Sequence, residues 1–295
     1  MVRLEGTTVV VGLGQSGLST LRTLLALGAT VIVSDSRADP PGLAALRVEF
    51  PDLLCQLGGF NPIMFRDAAR LVVSPGVAVK TPPIAEAAAM GIPVWGDIEL
   101  LAQLTQVPVA AITGTNGKST VTTLLGAMAE HTGVRAAVGG NLSPSALELW
   151  LHHEHSAVAA PDIYILELSS FQLETTHSLN TRVSTVLNIS PDHMDRYDGL
   201  EEYIAAKQRI FRGNGTKVVN VDDPAVMTMV KPGQNILRFT LDVPGEGDFG
   251  LRREGSDTWL ARGSERWIAA ADLQISGDHN LANALAALAM GHALG

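Results

Sequence analysis

Two short glycine-rich stretches hold the residues best suited to phosphate chemistry. In ITGTNGKST (112–120), Gly117, Lys118 and Ser119 reproduce the end of the pattern G-x-x-x-x-G-K-[ST]. The position five before Gly117 is Ile112, so the loop is a shortened variant, G-T-N-G-K-S. The mechanics survive the shortening. Backbone N–H groups cradle phosphates, Lys118 reaches β and γ oxygens, and Ser119 offers a hydroxyl to Mg2+. In VGLGQSGLS (11–19), Gly12, Gly14 and Gly17 satisfy G-x-G-x-x-G, after an apolar run and before a helical one. Asp35 ends the next apolar run, near the distance at which an acid would meet a ribose. NAD is the first ligand this pattern suggests, but the diphosphate of a UDP-sugar would use the same geometry. A tight strand-to-helix turn with no ligand is the plain alternative. Ser74, Pro75 and Gly76 end a further strand-like run and would line the same crevice.

Other residues stand out by their surroundings. Glu167 lies inside the apolar run DIYILELS, and a buried carboxylate needs a partner: a structural cation or a Mg2+ held with ATP. His193, in NISPDHMDRY, is by itself an ordinary capping or core histidine. The group HHEH (152–155) looks metal-like but reads as a solvated run in a loop. Lys207, in EEYIAAKQRIF, falls at the centre of an apolar helix face, between Tyr203, Ile204, Ile210 and Phe211. Burial lowers a lysine pKa, and a neutral amine can take up carbon dioxide as a carbamate, an anionic ligand for Mg2+. Spacing alone favours a plainer outcome, a lysine that snorkels outward or pairs with an acid.

These residues must be positioned by two kinds of element. Over the first hundred residues, short β-branched runs alternate with helical ones: TTVVVG, ATVIVSD, RLVVSPG and IPVWGD read as strands, and GLSTLRTLLALG as a helix stopping at Gly28. That alternation implies a parallel sheet covered on both faces. IELLAQLTQVP (98–108) is expected to bridge to a second unit, in which VPVAAIT runs into the lysine-bearing loop and a helix follows as far as Gly133. Between about residues 236 and 270 the pattern changes to alternation around EGSD, which predicts antiparallel hairpins, and the chain closes on an alanine-rich helix. The fold class is therefore α/β: a Rossmann-like parallel-sheet domain over 1–98, then a P-loop NTPase-like domain over 99–295 with a small antiparallel extension.

Composition narrows the function classes. The chain has 295 residues, 46% of them hydrophobic, and a formal net charge of −9. An acidic balance argues against nucleic acid as a partner. A single cysteine excludes an intramolecular disulfide and fits a reducing compartment. The N-terminus shows no leader pattern and no run of about 18 apolar residues occurs, so a soluble cytoplasmic protein without a membrane partner is expected.

Taken together, GTNGKST, VGGN (138–141), ELSSFQLE, DHMDRY, YIAAKQRI and HNLANALAAL resemble the Mur ligase family across the whole chain. The likeness is closest to the member that joins D-glutamate to UDP-N-acetylmuramoyl-L-alanine, with ATP, through an acyl phosphate. The resemblance implies that Gly114, Thr115, Asn116, Gly117, Lys118, Ser119 and Thr120 hold ATP, with Asn280 and Asn283 on the nucleotide. It implies one Mg2+ on Ser119 and Glu167, and a second on His193 and a carbamylated Lys207. Lys118, Glu167, His193 and Lys207 become the catalytic set. The UDP-substrate would lie against Gln15, Ser16, Asp35, Ser36, Arg37, Ser74, Pro75 and Gly76, with Asn141 facing the sugar. So the first loop is expected to take UDP and the second ATP, in a monomer. The family has a third domain that supplies the amino-acid site. It has no counterpart here, so this chain is expected to be a truncated form unable to ligate. A sister ligase for another amino acid and an NAD-dependent oxidoreductase are the competing readings.

Overall fold

The computed structural model describes residues 4–156 and 159–295. By contacts the chain forms two compact units. One comprises Met1–Gln106, Pro144–Ala159 and Phe171–Leu179; the other comprises Val107–Ser143, Ala160–Ser170 and Asn180–Gly295.

The first unit is built on five parallel strands: β1 (Thr7–Val11), β2 (Thr30–Asp35), β3 (Cys55–Leu57), β4 (Arg70–Val73) and β5 (Val94–Trp95). Their order is β3-β2-β1-β4-β5. β1 and β4 are almost wholly buried, as expected of valine-rich strands covered on both faces. Val9, Val11, Leu71 and Val73 pack with Phe65, Ile84 and Ala87 in one core. β3 escapes a reading of periodicity because three residues are too few to show one. The helix Gln15–Ala26 ends at Leu27, and Gly28 takes the left-handed conformation (φ +74°) that stops it.

Two segments differ from the sequence expectation. The stretch expected to bridge the domains forms the helix Asp97–Leu104, which belongs to the first unit. Its buried acids fasten a distant segment: Gln172 Nε2 donates to Asp97 Oδ2 (2.9 Å), and the backbone N–H groups of His177 and Ser178 donate to Glu99 Oε2 (2.6 and 2.9 Å). The HHEH run lies not in a loop but at the end of the helix Ala146–His155. A capping box explains this. Ser145 Oγ accepts from Glu148 N–H, and the Glu148 carboxylate accepts from Ser145 N–H.

The second unit holds β6 (Val109–Thr113), β7 (Ala136–Gly140), β8 (Ile163–Glu167), β9 (Val183–Val186), β10 (Thr216–Asn220), β11 (Ile236–Phe239), β12 (Phe249–Glu254), β13 (Asp257–Arg262) and β14 (Glu265–Ala269). The order is β14-β13-β12-β11-β10-β9-β6-β8-β7. Pairing is parallel from β7 to β12, and β12, β13 and β14 form the antiparallel meander expected around EGSD. Val121 and Leu125 of the helix Lys118–His131, and Leu285 and Met290 of the helix Asp278–Leu294, pack on Ile112, Ile165 and Val183. Among the described residues, no helix is long and apolar enough to cross a membrane.

Candidate functional site

Because β6, β8, β9 and β10 are parallel, their carboxyl ends share one edge of the second sheet, where ligands of α/β folds gather. Thr113 ends β6 and the phosphate-type loop follows it. Gly117 is left-handed (φ +83°) and caps the helix Lys118–His131 without a side-chain hydrogen bond. The first N–H groups of that helix are therefore available to an anion. A Cβ at Gly117 would stand 2.3 Å from Asn283 Oδ1, so glycine here leaves room for that side chain beside the loop.

Glu167, at the end of β8, is 3% exposed. Ser119 Oγ donates to its Oε2 (2.6 Å), and Asn141 Nδ2 donates to its Oε1 (2.8 Å). Hydroxyl and carboxylate oxygens side by side are the hard donor set that Mg2+ prefers. The fit to a metal rests on this pair, because no three His, Cys, Asp or Glu side chains converge among the described residues. The Lys118 ammonium folds back onto its own loop, donating to the carbonyls of Gly114 (3.1 Å) and Thr115 (2.9 Å).

Lys207 departs from what its spacing favours. It is 2% exposed, neither snorkelled nor held by an acid at its ammonium: Nζ donates to Thr113 Oγ1 (3.2 Å) and Gly114 O (2.9 Å) and lies 4.7 Å from the centre of the Tyr203 ring. The reason is local. The helix Leu200–Gln208 turns its buried side toward the end of β6, where Lys207 shares the Gly114 carbonyl with Lys118. Burial, and then the nearby Lys118 charge, lower the Lys207 pKa to about 7, against the opposing pull of Asp192 and Glu167. His193 sits at φ +55°, with a half-exposed side chain whose Nε2 is 3.5 Å from Asp192 Oδ2.

A cavity of about 270 Å³ joins residues that the sequence separates widely. Asn116, Gly117 and Thr120 line one part of it, and Asn280 and Asn283 of the last helix another. Asn188, Asn220 and His279 also line it, and nothing in the sequence reading pointed to them. Asparagine at or just past a strand end was the available signal for the first two.

In the first unit, the ends of β1, β2 and β4 bring the other candidates to one edge. Gly17 packs so closely that a Cβ there would stand 1.9 Å from Gly12 O. Ser74 Oγ donates to Gly12 O (2.8 Å). Asp35 is buried, and its carboxylate is already engaged: it accepts from Leu13 N–H (2.7 Å), Arg37 N–H (2.9 Å) and the Arg37 guanidinium (2.9 and 2.7 Å). Burial alone would raise its pKa, but these hydrogen bonds outweigh it and hold the group below the usual range. Gln15, Ser36, Arg37 and Gly76 are exposed, while Ser16, Ser74 and Pro75 are half-buried. Asn141 belongs to the second unit, beside Glu167.

The chain resembles known proteins. Residues 112–291 match the Mur ligase middle domain, and residues 6–96 match the MurD-like N-terminal domain of Mur ligases. The chain is 53% identical over 293 residues to the UDP-N-acetylmuramoylalanine--D-glutamate ligase of Nitrosococcus oceani, covering 99% of this chain and 63% of that protein. Its identity to the enzyme of the same name from Methylococcus capsulatus is 48% over 292 residues, covering 99% of this chain and 62% of that protein. The chain thus spans somewhat less than two thirds of these relatives. Among solved structures, the UDP-N-acetylmuramate:L-alanyl-gamma-D-glutamyl-meso-diaminopimelate ligase from Neisseria meningitides aligns with a TM-score of 0.63 at 17% identity, over 98% of this chain and 94% of that one. UDP-N-acetylmuramate-alanine ligase from Thermotoga maritima aligns with a TM-score of 0.55 at 19% identity, over 99% and 66%. At those identities the likeness is one of fold. The family itself is given by the middle-domain match, which runs over more than half of the sequence: the chain belongs to the Mur ligases.

Proposed function

We propose that this chain supplies the nucleotide-holding and UDP-substrate-holding parts of a ligase that adds D-glutamate to UDP-N-acetylmuramoyl-L-alanine in peptidoglycan synthesis. Ligation itself is proposed for the protein at the full length of its relatives. The observation that carries the reading is the cluster of Ser119, Glu167 and Asn141 beside Lys118, at a strand edge whose cavity reaches Asn280 and Asn283. The relatives' shared name, and the MurD-like match over residues 6–96, favour D-glutamate over the amino acids of sister ligases.

A carboxylate resists amines because oxide is a poor leaving group. In the proposed reaction the terminal carboxylate of the substrate attacks the γ-phosphorus of ATP. The bond to the β-γ bridging oxygen breaks, and ADP and an acyl phosphate result. The D-glutamate amine then attacks the acyl carbon, phosphate leaves, and the nitrogen gives up a proton. Lys118 and the N–H groups at the start of its helix would meet the negative charge spread over the transferring group. Gly114 to Thr120 would cradle the triphosphate, and Asn280 and Asn283 the rest of the nucleotide. Ser119 and Glu167 would hold one Mg2+; His193 and Lys207, as its carbamate, would hold a second. Bound there, Mg2+ would supply positive charge to phosphoryl oxygens.

UDP is proposed for the first loop, held by Gln15, Ser16, Asp35, Ser36, Arg37, Ser74, Pro75 and Gly76. The MurD-like match over residues 6–96 supports this against NAD. A UDP-linked substrate would make the cytoplasm the expected site of action. Calorimetric titration decides between the ligands: saturable binding of UDP-N-acetylmuramoyl-L-alanine without NADH binding is expected, and the reverse result overturns the reading. In the full-length protein, Glu167→Ala is expected to lower ADP formation by about 10²–10³-fold. Unimpaired turnover would remove Glu167 from the mechanism.

A further inference from the structure

The loop from Gly114 to Lys118 is tied at its middle to the segment that leaves β9, and Asn188 makes most of the ties. Its backbone carbonyl accepts from Thr115 N–H (3.0 Å). Its side chain closes a two-point clamp on the next residue: Oδ1 accepts from Asn116 N–H (2.9 Å), and Nδ2 donates to Asn116 O (3.1 Å). A carboxamide carries one acceptor and two donors on one short stem, which matches both polar groups of a peptide residue. Aspartate offers only acceptors, and alanine offers neither.

Neighbouring bonds run the same way. Ser190 N–H donates to Thr115 Oγ1 (3.0 Å), which lies 3.1 Å from Tyr203 Oη. The anchoring segment is itself held from the end of β10 and the turn after it, because Asn220 Nδ2 donates to Leu187 O (2.9 Å) and Ile189 N–H donates to Asp223 Oδ2 (2.7 Å). Asn188 also lines the cavity together with Asn116 and Gly117.

We propose that Asn188 is a positioning residue for the nucleotide: it fixes the Asn116 peptide groups so that the loop is already in its phosphate-holding form before ATP or ADP arrives. Ordering a free loop subtracts from affinity, and a loop ordered in advance avoids that loss. The inference rests on the nucleotide reading of the cavity. It assigns Asn188 no contact with the reacting atoms.

The test uses Asn188→Ala and the isosteric Asn188→Asp in this chain, with Mg2+-ADP as the probe. Calorimetry is expected to show about tenfold weaker ADP binding in each, the size of one lost hydrogen-bonded clamp. Hydrogen exchange supplies a readout that a general loss of stability does not give. The amides of Thr115 and Asn116 should exchange faster while Ala110 and Ile112 in β6 stay protected. Should Asn188→Ala fail to fold, Asn188→Asp retains the backbone tie and the Asn116 N–H acceptor, and carries the test. A wild-type chain that does not bind ADP overturns the nucleotide reading, whereas exchange still reports on the clamp. Equal ADP affinity in wild type and variant, or exchange that rises equally in loop and strand, overturns the positioning role alone.

Discussion

At Gly17 an added Cβ would meet the carbonyl oxygen of Gly12, whereas at Gly117 it would meet the amide of Asn283. The first glycine brings a helix close to the strand before it, within one supersecondary unit. The second combines a left-handed turn with an approach from a helix more than 150 residues downstream. The charges beneath the two loops differ as well. Under the first, a buried carboxylate, Asp35, is neutralised by Arg37 and by backbone N–H groups. Under the second, the buried ammonium of Lys207 meets a hydroxyl, a carbonyl and the face of the Tyr203 ring but no acid at hydrogen-bond distance, with Lys118 nearby. One loop rests on a compensated charge, the other on a charge that burial works to remove.

The largest expected effect tests that difference of charge. The folded Lys207 pKa of about 7 lies below its ordinary 10.5, so between those values the unfolded chain binds a proton that the folded chain does not. Stability should therefore rise with pH across that window and be flat below it. Relative to Lys207→Met, the wild type should gain on the order of 4 kcal/mol between pH 7 and about 10, measured by urea unfolding. A constant difference would mean that the lysine stays charged in its pocket. Next come the glycines. Gly17→Ala should cost about 3 kcal/mol of unfolding free energy by overpacking a backbone contact. Gly117→Ala should instead weaken ADP binding by about tenfold or more, with a smaller change in stability, because the strained turn faces the cavity. Equal behaviour of the two variants would erase the distinction between the loops. The smallest effect is expected from Arg37→Ala, about 0.5–1 kcal/mol, since the guanidinium is half exposed and two backbone donors to Asp35 remain.

What the sequence disclosed about this fold follows physical range. The order of strand, loop and helix around Lys118 was legible because each signal lies within a few residues of the next. The antiparallel meander was legible for the same reason. The helix at HHEH was also within reach, since Ser145 and Glu148 form an S-x-x-E signature that stood unread beside a distracting histidine run. Glu167 and Lys207 showed as charged residues in apolar patterns, but their surroundings did not. Whether a lysine on an apolar face snorkels or stays depends on what lies opposite, here a carbonyl 93 positions earlier in the chain. The Asn188 clamp reaches back 72 positions and has no periodicity or composition to announce it.

The chain's weaving between its two units bears on how the protein can be made and divided. Asp97 and Glu99 are synthesised long before Gln172, His177 and Ser178, the residues that cover them. A nascent chain emerging from the ribosome therefore carries all five strands of the first sheet and a helix whose acids stay in contact with water until some 75 further residues have appeared. Neither unit can be excised by a single cut, and a fragment ending at residue 106 would lose both later segments that pack into it. Any attempt to borrow the first unit as a stand-alone module must splice those segments back in.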